Sequence, residues 1–255
     1  MRIATLNVRN TADRWRERRS LLVRQLVDLA PDVLGVQEVR TVPDQAAWIA
    51  REAERQSEGR LLYRCYRRAK TGRLRLWEGI AVLSRAPVVA TAWIDLGVDC
   101  RVAQRVTVRA LGGDLLDVYN THLAGVGEEA RRAQAGRILD WMGTRRPLPA
   151  VLLGDLNARP GSPTVDLLCS RLRSAHVAVH GREPEHTVPT PLRAGWSGAY
   201  SVLDYVFVND EVEVEDARVA FDQLDPADPT LAASDHFGLV VTAYCSPASP
   251  APPQR

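Results

Sequence analysis

Lysine is almost missing from this chain. Lys70 stands alone, and every other basic side chain is arginine. Arginine forks suit bidentate contacts to phosphate, but a bias this uniform reflects genome composition rather than a site. Cysteine is sparse as well. The four cysteines, Cys65, Cys100, Cys169 and Cys245, are widely spaced and form no CxxC pair. That spacing excludes a cysteine zinc site and a disulfide framework, and fits reduced thiols in a cytoplasmic protein. No apolar run reaches the roughly 20 residues a membrane-spanning helix needs, and no signal-peptide pattern precedes the first strand-like run, Arg2 to Val8. An excess of one charge is also lacking. Thirty-three basic residues face 31 acidic ones, for a net charge of +2 and a pI near 8.4. This falls short of the balance that advertises nucleic-acid binding. There is no internal repeat and no linker before Ser246. The expectation is one domain over residues 1–245, followed by a disordered, proline-rich tail over 246–255, SPASPAPPQR at its full extent.

What is present is enough for one substantial core: 255 residues, 45% hydrophobic. Strand-like runs recur from end to end, among them IATLNV, DVLGVQEV, EGIAVLSR, LLDVYNTHL, PAVLLGDL, VLDYVFV and FGLVVTAY. Several are apolar on both faces, which predicts strands buried between layers. Amphipathic patterns predict helices over Trp15–Leu29, closed by Pro31, over Asp44 to about Arg55, and over Glu128–Met142. Strands outnumber helices, so two sheets flanked by helices explain the pattern better than alternating βαβ units.

The strands share an unusual feature. Asn7 closes ATLNV, Glu38 closes LGVQEV, His122 closes VYNTHL, and Asp155 and Asn157 close LLGDLN. Asp204 opens DYVFV, and Asp235 and His236 open DHFGLVV. Singly, each has an ordinary reading: a turn former, a solvated charge, a surface pair. Together they describe an active site held at one rim of a core by rigid strands. Glu38 and Asp235 are hard oxygen ligands and Asn7 adds an amide, a set suited to Mg²⁺ or Mn²⁺. His122 and His236 offer donors to a phosphoryl oxygen. Residues i and i+2 of a strand share a face. That spacing lets Asp155 take a proton from water while Asn157 donates to a charged intermediate.

In this order, TLNV, VQEV, NTHL, GDLNARPGSP, LDYVFV and SDHFGLV resemble the endonuclease/exonuclease/phosphatase superfamily of metal-dependent phosphoesterases, from Thr5 to Val240. The resemblance implies an α+β fold, a four-layer α/β/β/α sandwich of two mixed sheets flanked by helices. It implies Glu38 as the main metal ligand with Asn7 and Asp235 close by, and Asp155 as the residue that orients and deprotonates water. Asn157 would stabilise the phosphorane, His236 would bond the scissile phosphate while held by Asp204, and His122 would contact the phosphate too. Arg105, in AQRVTV, falls where many members carry an arginine. There are two departures. Abasic-site endonucleases carry Asn-x-Asp where this chain has Asn7-Val8-Arg9, and an arginine where it has Val202. Both weaken a DNA-repair reading.

Two further stretches invite function. The run from Tyr63 to Gly79 reads as a basic hairpin with Lys70-Thr71-Gly72 at its tip. Its Arg67, Arg68 and Arg73 would either blunt an edge strand or track a nucleic-acid backbone. AHVAVHGREPEH, read as a strand, would put His176 and His180 on one face, with His186 further on. No carboxylate partner for a metal is evident there. Trp196 reads equally as a substrate-contact loop residue or a packing tryptophan. The resulting expectation is a Mg²⁺- or Mn²⁺-dependent phosphoester hydrolase, first a phosphodiesterase or nuclease on nucleic acid, alternatively a phosphatase or phosphodiesterase on a small-molecule or lipid head-group phosphate. A catalytically silent binding protein is the rival from another class. A monomer without a protein partner is expected.

Overall fold

The computed structural model describes residues 1–71, 77–110, 112–145, 148–193 and 198–246. Arg73, Trp196 and the tail from residue 247 lie outside the described residues.

Two six-stranded mixed sheets face each other. The first contains β1 (Arg2–Asn7), β2 (Val33–Arg40), β3 (Arg64–Ala69), β4 (Glu78–Ser84), β11 (Val212–Ala220) and β12 (Gly238–Cys245), in the order β11-β12-β1-β2-β4-β3. The second contains β5 (Val88–Asp95), β6 (Val102–Arg109), β7 (Leu115–His122), β8 (Ala150–Asp155), β9 (Arg173–Ser174) and β10 (Asp204–Val208), in the order β5-β6-β7-β8-β10-β9. Each sheet has one parallel pair at its centre, β1 with β2 and β7 with β8. A helix crosses over in each: α1 (Trp15–Leu29) in the first and α3 (Glu128–Gly143) in the second. Parallel neighbours need such a crossover. The helices α2 (Gln45–Gln56), α4 (Pro163–Cys169) and α5 (Ala175–His180) complete the outer layers.

Strand alternation builds the layers. Ile3, Val33, Val82, Val118, Val151 and Leu153 pack between the sheets. Ala4, Leu34 and Leu83 turn the other way, onto Leu22 and Leu26 of α1 and Ile49 of α2. Tyr119, Leu152 and Phe207 pack under Ile138 of α3 and Leu168 of α4. The all-apolar run Val151-Leu152-Leu153 therefore fills two cores at once, the four-layer sandwich the motifs implied.

The helices begin and end where the sequence places them to within a residue or so. Asp44 caps α2, its carboxylate accepting from Ala47 N–H. The segment AHVAVH corrects the strand reading: Ser174 caps it as α5, and Gly181 closes it in the left-handed region. His176 and His180 are neighbours, ring centroids 4.4 Å apart. His186 instead lies against Tyr200 and Phe237. Among the described residues these histidines join no metal-binding cluster.

Candidate active site

The two parallel pairs bring four strand ends to one rim. Inner-facing positions run Ile3, Thr5, Asn7 along β1, and Val151, Leu153, Asp155 along β8. At the open end of the inter-sheet core these positions become polar. His122 ends β7 opposite Asp155, and Asp204 starts β10 opposite Asp155 on the other side. Gly154 permits this close approach. Its φ is +138°, and a Cβ there would lie 1.9 Å from Thr121 O.

Glu38 reaches the rim differently. The β2–β4 register shifts between Val36 and Val39, and both valines face the helices. That is impossible in strict alternation. The bulge leaves Glu38 as the extra residue, at φ 53°, aimed at the site. Beneath it, Gln37 donates to Thr5 Oγ1 and Asn120 Oδ1, while Asn120 donates to Val36 O and Ala81 O, tying the sheets together.

The catalytic candidates are joined through Asp155. Asn7 Nδ2 donates to Asp155 Oδ2 at 2.9 Å and to Glu38 Oε1 at 3.1 Å. His122 Nε2 lies 3.4 Å from Asp155 Oδ2, and His236 Nε2 lies 3.9 Å from it. On its far side, His236 Nδ1 bonds Asp204 Oδ2 at 2.8 Å. Asn7, Asp155, Asp204, Asp235, His122 and His236 are all buried. Asp155 and Asn157 do not meet by sharing a strand face. The strand ends at Asp155, Asn157 is left-handed with φ 49°, and its N–H returns to Asp155 Oδ1 at 2.9 Å. The short polar side chain closes an Asx-type turn, which overrides the period of two. The Asn157 amide donates to Leu123 O and sits 3.0 Å from His122 Nε2.

Burial and charge set the protonation states. Burial raises the Asp155 carboxyl to about 7, with Asp204 adding to the rise and His236 opposing it. Burial acts to lower His236, but Asp204 and Asp155 outweigh it and hold the imidazolium up to about 10. His122 is driven well below its ordinary value by burial first, then by the nearby Arg101 and Lys70 cations, and is neutral at pH 7.

Asn7 and Asp235 are bonded in ways the sequence did not foretell. Asn7 Oδ1 accepts the Arg9 N–H at 2.9 Å, so the amide offers its NH₂ to the two carboxylates. Asp235 Oδ2 lies 3.4 Å from Arg9 Nε and 3.7 Å from Arg193 Nη1. Ligand atoms of Glu38, His122 and Asp155 lie within 4.8 Å of one another, as do those of Asp155, Asp204 and His236. Two carboxylates sharing one amide, with open oxygen lone pairs, fit a hard divalent cation.

The basic residues divide. Arg105 pairs with Tyr119 across β6 and β7, on the helix-covered face, with its guanidinium 5.7 Å from the Trp141 ring centre; the structure does not bring it to the cluster. Arg67 is bonded to Asp44 and to Thr41 O, and Arg68 stacks 3.2 Å over Trp93. Arg101, which sequence reasoning passed over, is 7% exposed beside the His122 strand end and leaves Nη1 buried without a partner. Arg18 was missed too. Wholly buried, it donates to the carbonyls of Val8, Arg9, Asn10, Ala12, Asp13 and Ala233, clamping both loops that carry the Asn7 and Asp235 ends of the site.

A bulge-aimed glutamate, an asparagine-bridged aspartate and a buried His–Asp pair thus meet at the rim of a double-sheet sandwich. The sequence profile of the Endonuclease/Exonuclease/phosphatase family matches residues 4–236, and the chain belongs to that family. No curated protein matches. Among solved structures, the chain is similar to an endonuclease/exonuclease/phosphatase from Bacteroides vulgatus, at 20% identity and TM-score 0.78, covering 96% of this chain and 98% of that one. The human nocturnin catalytic domain with bound sulfate aligns at 22% identity and TM-score 0.76, covering 96% and 93%. A mannosyl-6-phosphatase from Bacteroides thetaiotaomicron aligns at 19% identity and TM-score 0.74, covering 96% and 99%. At these identities the likeness speaks to the fold.

Proposed function

We propose that this protein hydrolyses a phosphoester by in-line attack of water and requires Mg²⁺ or Mn²⁺. The observation that carries the reading is the hydrogen-bonded chain Glu38–Asn7–Asp155, with the buried His236–Asp204 pair completing it. Glu38 would hold the ion, with the Asp155 carboxylate and His122 beside it; when bound, the ion would offset charge on the phosphoryl group and leaving oxygen. Asp155 serves as the base. Its carboxylate is fixed by Asn7 and by the Asn157 N–H, and burial brings its affinity for a proton near neutrality, where a general base works best. The His236 imidazolium, oriented by Asp204, donates to a non-bridging oxygen. Asn157 and neutral His122 provide further polar contacts as the charge grows.

Two substrate readings remain in play. Nucleic acid is the first from sequence. One observation favours a compact phosphate ester instead: Arg67 is committed to Asp44 and Thr41 O, and Arg68 to Trp93, so the basic hairpin spends two of its arginines within the protein. The four free thiols suit a cytoplasmic setting, and among the described residues no helix is long and apolar enough to cross a membrane. The deciding experiment is a substrate panel of DNA, RNA, lipid head groups, mononucleotides and sugar phosphates, run with Mg²⁺ and with chelator. Turnover that survives chelation, or no turnover of any phosphoester, removes this reading.

A further inference from the structure

Arg9 stands at the mouth of the site. Its backbone N–H occupies Asn7 Oδ1 at 2.9 Å. Its Nε donates to Asp13 Oδ2 at 2.9 Å and lies 3.4 Å from Asp235 Oδ2. Both groups the sequence nominated as companions to Glu38 are therefore engaged by one residue. The clamp on this loop is firm, because the buried Arg18 guanidinium bonds the carbonyls of Arg9 and its neighbours on both sides. Asp235 is 1% exposed and has a second guanidinium, Arg193, at 3.7 Å. A carboxylate so placed is already neutralised, and a divalent ion approaching it meets fixed positive charge. On the Glu38 side, Glu38, His122 and Asp155 converge, and among the described residues no arginine forms an ion pair with Glu38 or Asp155, although Arg101 and Lys70 act on His122; Asp235 joins no candidate cluster among the described residues. The Arg9 side chain is 31% exposed, and among the described residues Nε is the one side-chain nitrogen with a hydrogen-bond partner.

We propose that Arg9 takes the place of a second metal ion. The chain binds a single divalent cation, on the Glu38–Asp155 side. The Arg9 guanidinium, anchored through Nε on Asp13 and held 3.4 Å from Asp235, supplies the other positive charge and presents its terminal nitrogens to a phosphoryl oxygen of the substrate. A planar fork with two terminal NH₂ groups is suited to that contact. The inference rests on the metal-dependent phosphoesterase reading and adds the ion count and the residue that sets it.

The test is a Mn²⁺ titration followed by electron paramagnetic resonance, on the full chain without substrate. One Mn²⁺ per chain is expected for the unmodified protein. Arg9→Gln removes the nearer of the two guanidiniums beside Asp235, leaving Arg193 at 3.7 Å, and should take up a second, weaker Mn²⁺, while Arg9→Lys, which keeps the charge, should remain at one. In turnover, Arg9→Gln should raise KM about tenfold or more with kcat changed much less, since a phosphate contact made in both ground and transition states acts on binding. Two Mn²⁺ bound by the unmodified protein would overturn the inference and leave the phosphoesterase reading standing. A count of one in Arg9→Gln, with circular dichroism showing a native fold, would overturn the role given to Arg9. No Mn²⁺ bound at all would remove the metal-dependent reading itself.

Discussion

His236 donates its Nδ1–H to Asp204 Oδ2 across 2.8 Å, and both side chains are buried at the meeting of the two sheets. The aspartate begins β10 and the histidine lies just ahead of β12, so the pair is also a tie between the sheets. Its orientation leaves Nε2 facing Asp155.

The pair makes stability depend on pH in the metal-free protein. Burial alone would lower His236, but Asp204 and Asp155 hold it up to about 10 in the folded state, against roughly 6.5 when unfolded. The folded state keeps the proton longer, so the contribution is complete below about pH 6.5 and is lost as pH rises through about 10. Thermal unfolding in chelator should therefore weaken between pH 7 and 10, and His236→Gln should flatten that slope. An unchanged slope in the variant would contradict the assignment.

The same pair orders two activity losses. Asp204 positions His236, and in the proposed reaction His236 would contact the phosphate, so Asp204→Asn should lower kcat by less than His236→Ala does. The reverse order would show Asp204 acting on the substrate directly.

Asp155 is the base of the proposed reaction. Asp155→Asn or Asn157→Ala should cut kcat by on the order of 10²–10⁴, the range for losing a general base or a charge-stabilising donor, with circular dichroism unchanged. Near-native rates from either variant would remove the mechanism.

Glu38 is turned into the site by a bulge, and its replacement should act through metal. Glu38→Ala should weaken Mn²⁺ binding and abolish metal-dependent turnover, because a hard cation held by few carboxylates loses much with one of them. Equal Mn²⁺ affinity in Glu38→Ala and the unmodified protein would place the ion elsewhere.

Much of this was legible in the sequence, and the exceptions have physical causes. The order of polar residues at strand ends was readable because β-branched runs stop abruptly at Asn7, His122 and Asp155. The way Glu38 and Asn157 enter the site was not, since a bulge and a left-handed turn break the period of two on which the reading relied. AHVAVH misled for a related reason. Residues i and i+4 share a face in strands and in helices, so the spacing of His176 and His180 could not choose; the capping pair Ser174 and Gly181 could have. Arg18 and Arg101 were invisible because nearly every basic residue is arginine, and nothing in RWRERRS separates the buried one from its exposed or half-buried neighbours.

That buried arginine should prove costly to remove. Among the described residues Arg18 pairs with no carboxylate, and it satisfies six main-chain carbonyls. Burial lowers its guanidinium to about 10, which leaves it charged at neutral pH. Arg18→Met strands those carbonyls in the core, at roughly 1–3 kcal/mol for each one left unsatisfied. Allowing for relaxation and water entry, the loss should be on the order of 3 kcal/mol or more, read as a fall in the urea midpoint. A midpoint within error of the unmodified protein would mean the loop holds itself.

The last prediction separates the two substrates. A protein that grips an extended nucleic acid neutralises several phosphates and loses affinity steeply with salt. Here the net charge is +2, and the dense basic run is the hairpin around β3. Arg67 reaches Asp44 at 2.5 Å and Arg68 covers Trp93. If nucleic acid is the substrate, replacing Arg67, Arg68 and Arg73 with Ala should raise KM and flatten the salt slope while kcat holds. If a compact phosphate ester is the substrate, activity should vary weakly with salt from the outset. The triple variant should then turn over at close to the native rate, with only the small stability loss of a half-exposed ion pair, about 0–1 kcal/mol. The internal commitments of Arg67 and Arg68 favour the second outcome. A steep salt response of the unmodified enzyme on DNA or RNA, abolished in the triple variant, would return the reading to a nuclease.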